Sequence, residues 1–248
     1  MITIKSPHEI EIMREAGRIV AECHQILSEK VKPGVTTEEL DKIVEEHIRK
    51  RKAVPSFKGH QGFPASICVA INDVVCHGIP GQQVLNQGDI ITIDVGAYYK
   101  GYHGDSAWTY PVGKISKVAK DLMETGEKCL KLGIEQAVID NRIGDIGRAI
   151  DDYAQQHKRG VVRSFTGHGV GKRLWEDPPI PHYSSLRRGA KIKEGMTLAI
   201  EPMITLGDWR IQIMEDNWTA KTLDHSLCVQ YEHTIAISEK GPIILTTL

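Results

Sequence analysis

The sequence predicts an α+β domain with internal pseudo-twofold character, on three observations. Two helix-patterned segments followed by strand-like runs occur twice along the 248 residues. The stretch Val54-Pro55-Ser56-Phe57-Lys58-Gly59-His60 lines up with Val162-Arg163-Ser164-Phe165-Thr166-Gly167-His168 at a constant offset of 108. No Pro/Gly/Ser-rich linker separates the halves, so residues 1–248 read as one domain.

Each element has a local reason. Ser6-Pro7-His8-Glu9 opens the first helix, with Ser6 as N-cap, Pro7 at the first helical position and Glu9 closing a capping box. Ile10, Met13, Gly17, Val20 and Leu27 share one face, and Lys32-Pro33-Gly34 ends the helix. Thr36-Thr37-Glu38-Glu39 caps a second helix carrying Leu40, Ile43, Val44 and Ile48. Its basic end, Arg49-Lys50-Arg51-Lys52, reads as a solvated terminus favoured by the helix dipole, with ribosomal RNA contact as the alternative. Strand-like runs follow at Ile67–Ile71, Asp89–Val95 and Ala107–Tyr110. Val118, Leu122, Cys129 and Leu132 mark a third helix, and Ile146, Ala149, Ile150 and Ala154 a fourth. Val161–Phe165, Thr197–Ile200 and His233–Ile237 read as the strands after them.

Composition narrows the function. Lys+Arg 31 against Asp+Glu 32 gives a net charge of −1, without the basic excess of a dedicated DNA binder. The 41% hydrophobic and 25% charged residues are those of a globular protein, and no apolar run is long enough to span a membrane. A basic n-region followed by an apolar h-region is missing at the start, so a cytoplasmic location is expected. The five cysteines (Cys23, Cys68, Cys76, Cys129, Cys228) contain no C-x-x-C pair, against a disulfide framework or zinc ribbon.

The chemistry is sought where carboxylates interrupt apolar strands, because burying a charge is costly unless it is paired or metal-bound. Asp94 follows Ile90-Ile91-Thr92-Ile93, and Glu201 follows Thr197-Leu198-Ala199-Ile200. Glu232 lies between Val229-Gln230-Tyr231 and His233-Thr234-Ile235, and Asp105 comes eleven residues after Asp94 across a hairpin. Lys and Arg are missing from the same segments, so one or two divalent cations would turn mutual repulsion into binding. His168, flanked by Gly167 and Gly169, adds a nitrogen donor, and His77 ends another apolar strand. Singly, each is explained by a capped strand end or an internal ion pair. Together they point to a metal site.

Asp94-x10-Asp105, Gly167-His168-Gly169, Ile200-Glu201-Pro202-Met203 and Gln230-Tyr231-Glu232-His233-Thr234 resemble the signature of the methionine aminopeptidases. The resemblance runs from Ser6 to about Leu245. It implies the pita-bread fold, pseudo-twofold antiparallel sheets covered by helices, shared with aminopeptidase P, prolidase and creatinase. Only 33 positions separate His168 from Glu201, without the helical insertion of type II members, so the chain resembles the short bacterial type I form. The additional N-terminal domain of prolidase and aminopeptidase P has no room here.

The resemblance implies two divalent cations per chain, Co2+, Mn2+, Fe2+ or Zn2+. Asp94 would chelate one, Asp105 and Glu232 would bridge both, and His168 and Glu201 would complete the other. A mostly oxygen donor set with one imidazole suits those ions. The implied reaction hydrolyses the first peptide bond, releasing initiator methionine from nascent polypeptides or peptides whose second residue is small. Glu201 would relay the proton, and His77 would contact substrate near the scissile amide. Phe57, His60, Phe63, Cys68, Leu174 and Trp218 would line the methionine pocket, a soft apolar slot suited to a thioether. A monomer in transient ribosome contact is expected.

Two departures accompany the match. Type I members carry a second histidine seven residues past the metal histidine, in contact with the peptide carbonyl; here that position is Trp175, whose indole donates a hydrogen bond but cannot exchange protons near neutral pH. His60-Gln61 stands where the family usually shows Tyr-His. The expectation is an enzyme with a complete metal site and altered substrate contacts. Its alternatives are a pita-bread hydrolase acting on another small peptide-like substrate, and a non-catalytic binding relative. Such binding relatives lose metal ligands, whereas all five are present here.

Overall fold

Both predicted capping boxes form in the computed structural model, which describes residues 1–248. Ser6 and Glu9 exchange backbone hydrogen bonds at the start of α1 (Pro7–Lys30), and Thr36 and Glu39 do so at α2 (Thr37–Lys50). The first half continues with β1 (Val54–Pro55), β2 (Ile67–Ile71), β3 (Val74–Cys76), β4 (Ile90–Tyr99) and β5 (Tyr102–Pro111). The second half opens with α3 (Lys117–Glu135), α4 (Ile143–Gln156), β6 (Gly160–Val161) and β7 (Gly167–Gly169). There follow β8 (Glu176–Ile180), β9 (Thr197–Ile200), β10 (Met203–Thr205), β11 (Ile211–Ile213), β12 (Ala220–Thr222), β13 (Cys228–Gln230), β14 (His233–Ser238) and β15 (Gly241–Ile244).

Every strand pairing is antiparallel. Strands β1, β4 and β2 form one sheet, with β5 on β4, and β15-β14-β9-β7-β8 form another. Helices α1 and α2 cover the first through Ile19, Leu27, Leu40, Val44, Ile48, Ile91 and Ile93. Helices α3 and α4 cover the second through Leu122, Leu130, Ile146, Ile150, Leu198, Ile200 and Ile235. Trp108 packs against both clusters and joins the layers. The close approach of β5 to α1 needs glycine at 104, because a Cβ there would lie 2.6 Å from the Gly17 nitrogen. Gly17 is needed against the C-terminal segment, where its Cβ would lie 2.3 Å from the Leu245 carbonyl.

One reading changes, and the basic end of α2 is a solvated terminus with Arg49, Lys50 and Lys52 exposed. Of the run Val161–Phe165 only Val161 is strand, in β6, because its partner β10 is three residues long and its pairing ends with the bond from the Val162 N–H to the Met203 carbonyl (3.1 Å). Half of the basic run is engaged within the chain, Arg49 with Glu45 at 2.7 Å and Arg51 with Glu15 and Glu22. No helix is long and apolar enough to cross a membrane, and all five cysteines are free and buried.

Candidate active site

The β4–β5 hairpin sets the first two acids. Its register places Asp94 opposite Ala107 and Asp105 opposite Gly96, so both carboxylates are diagonal neighbours on one face. His168 lies at the centre of β7, paired with Ala199 of β9, and Glu201 follows that strand directly. The β9–β14 register, His233 opposite Ile200, brings Glu232 beside Glu201. Hydrogen bonds then tie the two sheets together. The Asp105 N–H donates to Thr234 Oγ1 (3.1 Å), and that hydroxyl donates to the Asp105 carbonyl (2.8 Å). Ser106 Oγ donates to the Glu232 carbonyl (2.6 Å), and the Glu232 N–H donates to the Ala107 carbonyl (2.8 Å).

The side chains so gathered are short of positive charge. Asp94 Oδ1, Asp105 Oδ1 and Glu232 Oε1 are buried without any hydrogen-bond partner. Ion-pair contacts among these groups come only from His168, whose Nε2 lies 3.4 Å from Glu201 Oε1 and 3.8 Å from Asp105 Oδ2. His168 Nδ1 lies 2.9 Å from the Gly169 carbonyl, which places the proton on Nδ1 and turns the Nε2 lone pair toward the acids. Burial raises Asp105 to about 7 and, with mutual repulsion, lifts Asp94, Glu201 and Glu232 well above the carboxylate range. Burial also pushes His168 down to about 4. Ligand atoms of Asp105, His168 and Glu232 lie within 4.8 Å of one another, with Asp94 and Glu201 beside them. Four buried acids around an imidazole lone pair repel one another, and divalent cations are the charge that this donor set fits.

A second ring of residues orients the first. Gln230 Nε2 donates to Glu201 Oε2 (3.1 Å), and the Glu201 N–H donates to His182 Nε2 (3.2 Å). Gly167 must be glycine, because a Cβ there would lie 2.4 Å from the Ala199 carbonyl and 3.0 Å from His182 Nε2. His182 is missed by sequence reasoning, for it sits after β8 in no apolar pattern; Gln230 lies inside the quoted motif but carries no charge to mark it.

The acids form the floor of a cavity of about 420 Å³. Phe57, Phe63, Cys68 and Trp218 form its apolar end, Phe63 and Trp218 edge-to-face at 5.1 Å. Leu174 packs in the same apolar cluster, behind the wall rather than on it. His77 opens onto the cavity just after β3, edge-to-face with Phe165 at 5.2 Å, and burial lowers its pKa. Ser164, Phe165, Thr166 and Met203 complete the lining and lie outside the predicted set. Phe57, His60, Phe165 and His168 all line this one cavity, the same residue pairs that the offset of 108 relates. Trp175 also faces it, with its ring 4.8 Å from His60 and 6.4 Å from His168.

The sequence pattern of metallopeptidase family M24 matches residues 11–239. The chain belongs to metallopeptidase family M24. Among its M24 relatives, "Methionine aminopeptidase 1" of Bacillus subtilis (strain 168) is 52% identical over 246 residues, 99% of each chain. A solved M24 structure, the methionine aminopeptidase of Thermotoga maritima, matches at a TM-score of 0.98 and 41% identity, covering 100% of both chains. That of Rickettsia prowazekii gives 0.97 at 39% identity, covering 99% of this chain and 100% of its own. The expected pita-bread architecture is therefore the M24 fold of this chain.

Proposed function

We propose that this M24 enzyme removes the N-terminal methionine of peptides and nascent polypeptides whose second residue is small. Two divalent cations would be held by Asp94, Asp105, His168, Glu201 and Glu232. One observation carries the reading: a single cavity joins a floor of unpaired buried carboxylates to a slot of aromatic rings and a thiol. The methionine aminopeptidase names of full-length relatives support it.

Bound Mn2+, Fe2+, Co2+ or Zn2+ would neutralise the floor, polarise the scissile carbonyl and bring an attacking water into the neutral pH range. The protein groups have separate tasks. Asp105 turns Oδ2 toward His168 and keeps Oδ1 free of any hydrogen bond, so its carboxylate would be available to hold the cations. Glu201, with Oε2 held by Gln230, has Oε1 to hold a proton between water and departing amine. His77, kept neutral by burial, offers one N–H donor and one lone pair beside the scissile amide. Phe57, Phe63, Cys68 and Trp218 enclose the thioether and exclude water, while His60 and Trp175 narrow the exit for the second residue.

The test is metal-stripped protein reconstituted with Co2+ or Mn2+ and given Met-Ala-Ser or Met-Lys-Ser. A steric wall against the larger side chain predicts on the order of 100-fold higher kcat/KM for Met-Ala-Ser. Equal values for both peptides reject the reading.

A further inference from the structure

His60 sits in a turn built to project it. Gly59, Gln61 and Gly62 have φ of 85°, 48° and 89°, so a non-glycine residue next to His60 is held in the left-handed region. Strain of this kind persists only where the surroundings over-determine it. Here hydrogen bonds close the turn: the His60 N–H reaches the Phe57 carbonyl (2.9 Å), the Phe63 N–H that of His60 (2.9 Å), and the Gly59 N–H that of Phe63 (2.8 Å).

The projected ring ends unsatisfied. His60 lines the cavity edge-to-face with Trp175, centroids 4.8 Å apart at 86°, and its Nε2 is buried with no hydrogen-bond partner. The cavity's other orphaned atoms are the three carboxylate oxygens, which cations would satisfy. Nothing in the protein or the metal site does this for His60. An unpaired buried nitrogen is costly, and a ligand that pairs with it recovers that cost. His60 lines the same cavity beside the partly exposed Trp175, so a peptide with its side chain among Phe57, Phe63 and Cys68 and its amine at the acids would have these two rings near its way out.

We propose that His60 hydrogen-bonds the peptide backbone at the second residue, beyond the cleaved bond, and that Trp175 is the positioning residue for its ring. This rests on the function proposed above. Positions 60 and 175 are also two of the places where the chain departs from the type I pattern, so the imidazole stands at one and the indole at the other.

The test compares kcat/KM for Met-Ala-Ser with that for methionine p-nitroanilide, which has no second residue. In His60→Phe the ratio of the two falls about tenfold, the size of one lost hydrogen bond. His60→Gln, which keeps a donor and an acceptor, recovers most of the ratio. Trp175→Ala lowers it less, and has no further effect on it in the His60→Phe background. An unchanged ratio in folded His60→Phe, whether both substrates fall together or neither does, overturns the proposal and leaves a packing ring. The wild type gives a second test. The 15N resonance of His60 Nε2 in Zn2+-loaded protein shifts on saturation with a Met-Ala-Ser analogue whose first peptide bond is reduced; no shift overturns the proposal. A wild type that cleaves neither substrate with any of the four cations overturns the aminopeptidase reading itself, and this proposal with it.

Discussion

The floor and the wall of the cavity are held in different ways. The floor acids and His168 stand on or directly beside strands, and their positions follow from backbone register and from main-chain hydrogen bonds between the sheets. Apart from Cys68, which stands in β2 opposite Asp94, the wall hangs on turns and loops. Trp218 is carried by a turn in which Asp216 Oδ1 accepts the Trp218 and Thr219 N–H groups at 2.9 and 2.8 Å. The loop bearing Leu174 and Trp175 is propped by a buried ion pair, Lys5 with Glu176 at 2.7 Å, and Glu176 Oε1 also accepts the Arg173 N–H at 3.2 Å. Groups that must share cations need the fixed geometry of strands, whereas selectivity on turns can change without disturbing the chemistry.

The contrast can be broken first at the floor. On the proposed two-cation site, Asp105→Asn or Glu232→Gln would withdraw charge from both ions, and loss of several kcal/mol of transition-state stabilisation would lower kcat on Met-Ala-Ser on the order of 1,000-fold. Steady-state kinetics with metal analysis of the purified variants checks this; wild-type kcat contradicts it. The prop of the wall comes next. Lys5→Met leaves the Glu176 carboxylate buried and unpaired, a loss of about 3–5 kcal/mol in denaturant unfolding. The floor should feel little of this, so variant that remains folded keeps its metal stoichiometry.

A smaller effect separates the regions by pH. Asp105, raised to about 7, and the still higher Asp94, Glu201 and Glu232 bind more protons in the native state than when unfolded. Their contribution is present below the ordinary carboxylate range and lost as pH rises through the raised values. Burial lowers His24, His103, His168 and His233 to about 4, His182 to about 3, and His77 as well, so these six groups act in the opposite direction, but only below the ordinary histidine range. Metal-stripped protein therefore melts at lower temperature at pH 8.5 than at pH 6.5. Mn2+ at a hundred times its Kd restores about 2.7 kcal/mol, a rise of roughly 5–10 °C. Calorimetry at the two pH values reads both. The smallest change is at the wall: Phe63→Leu, a near-conservative swap costing ~1 kcal/mol, raises KM for Met-Ala-Ser about fivefold with kcat unchanged.

The same division decides what could be read from sequence. Asp94, Glu201 and Glu232 stand out because a carboxylate in an apolar strand needs a compensating charge, and none lies nearby. The capping boxes of α1 and α2 are equally legible, since each is local. His182 is not, because its role depends on a loop folding back on Glu201. Residues Ser164 and Phe165 look like strand by composition and become cavity wall because β10 is too short to pair with them. Whether Leu174 or Trp175 faces the cavity is set by a loop whose anchor, Lys5, lies far away in sequence.

The central claim is that a floor of unpaired carboxylates works by holding divalent cations, and stepwise metal titration tests it most directly. Stripped protein is titrated with Mn2+ while bound metal and methionine release from Met-Ala-Ser are followed together. The account predicts no release from stripped protein, recovery in step with metal bound, and a limit of two ions per chain. Full activity in exhaustively stripped protein would contradict it.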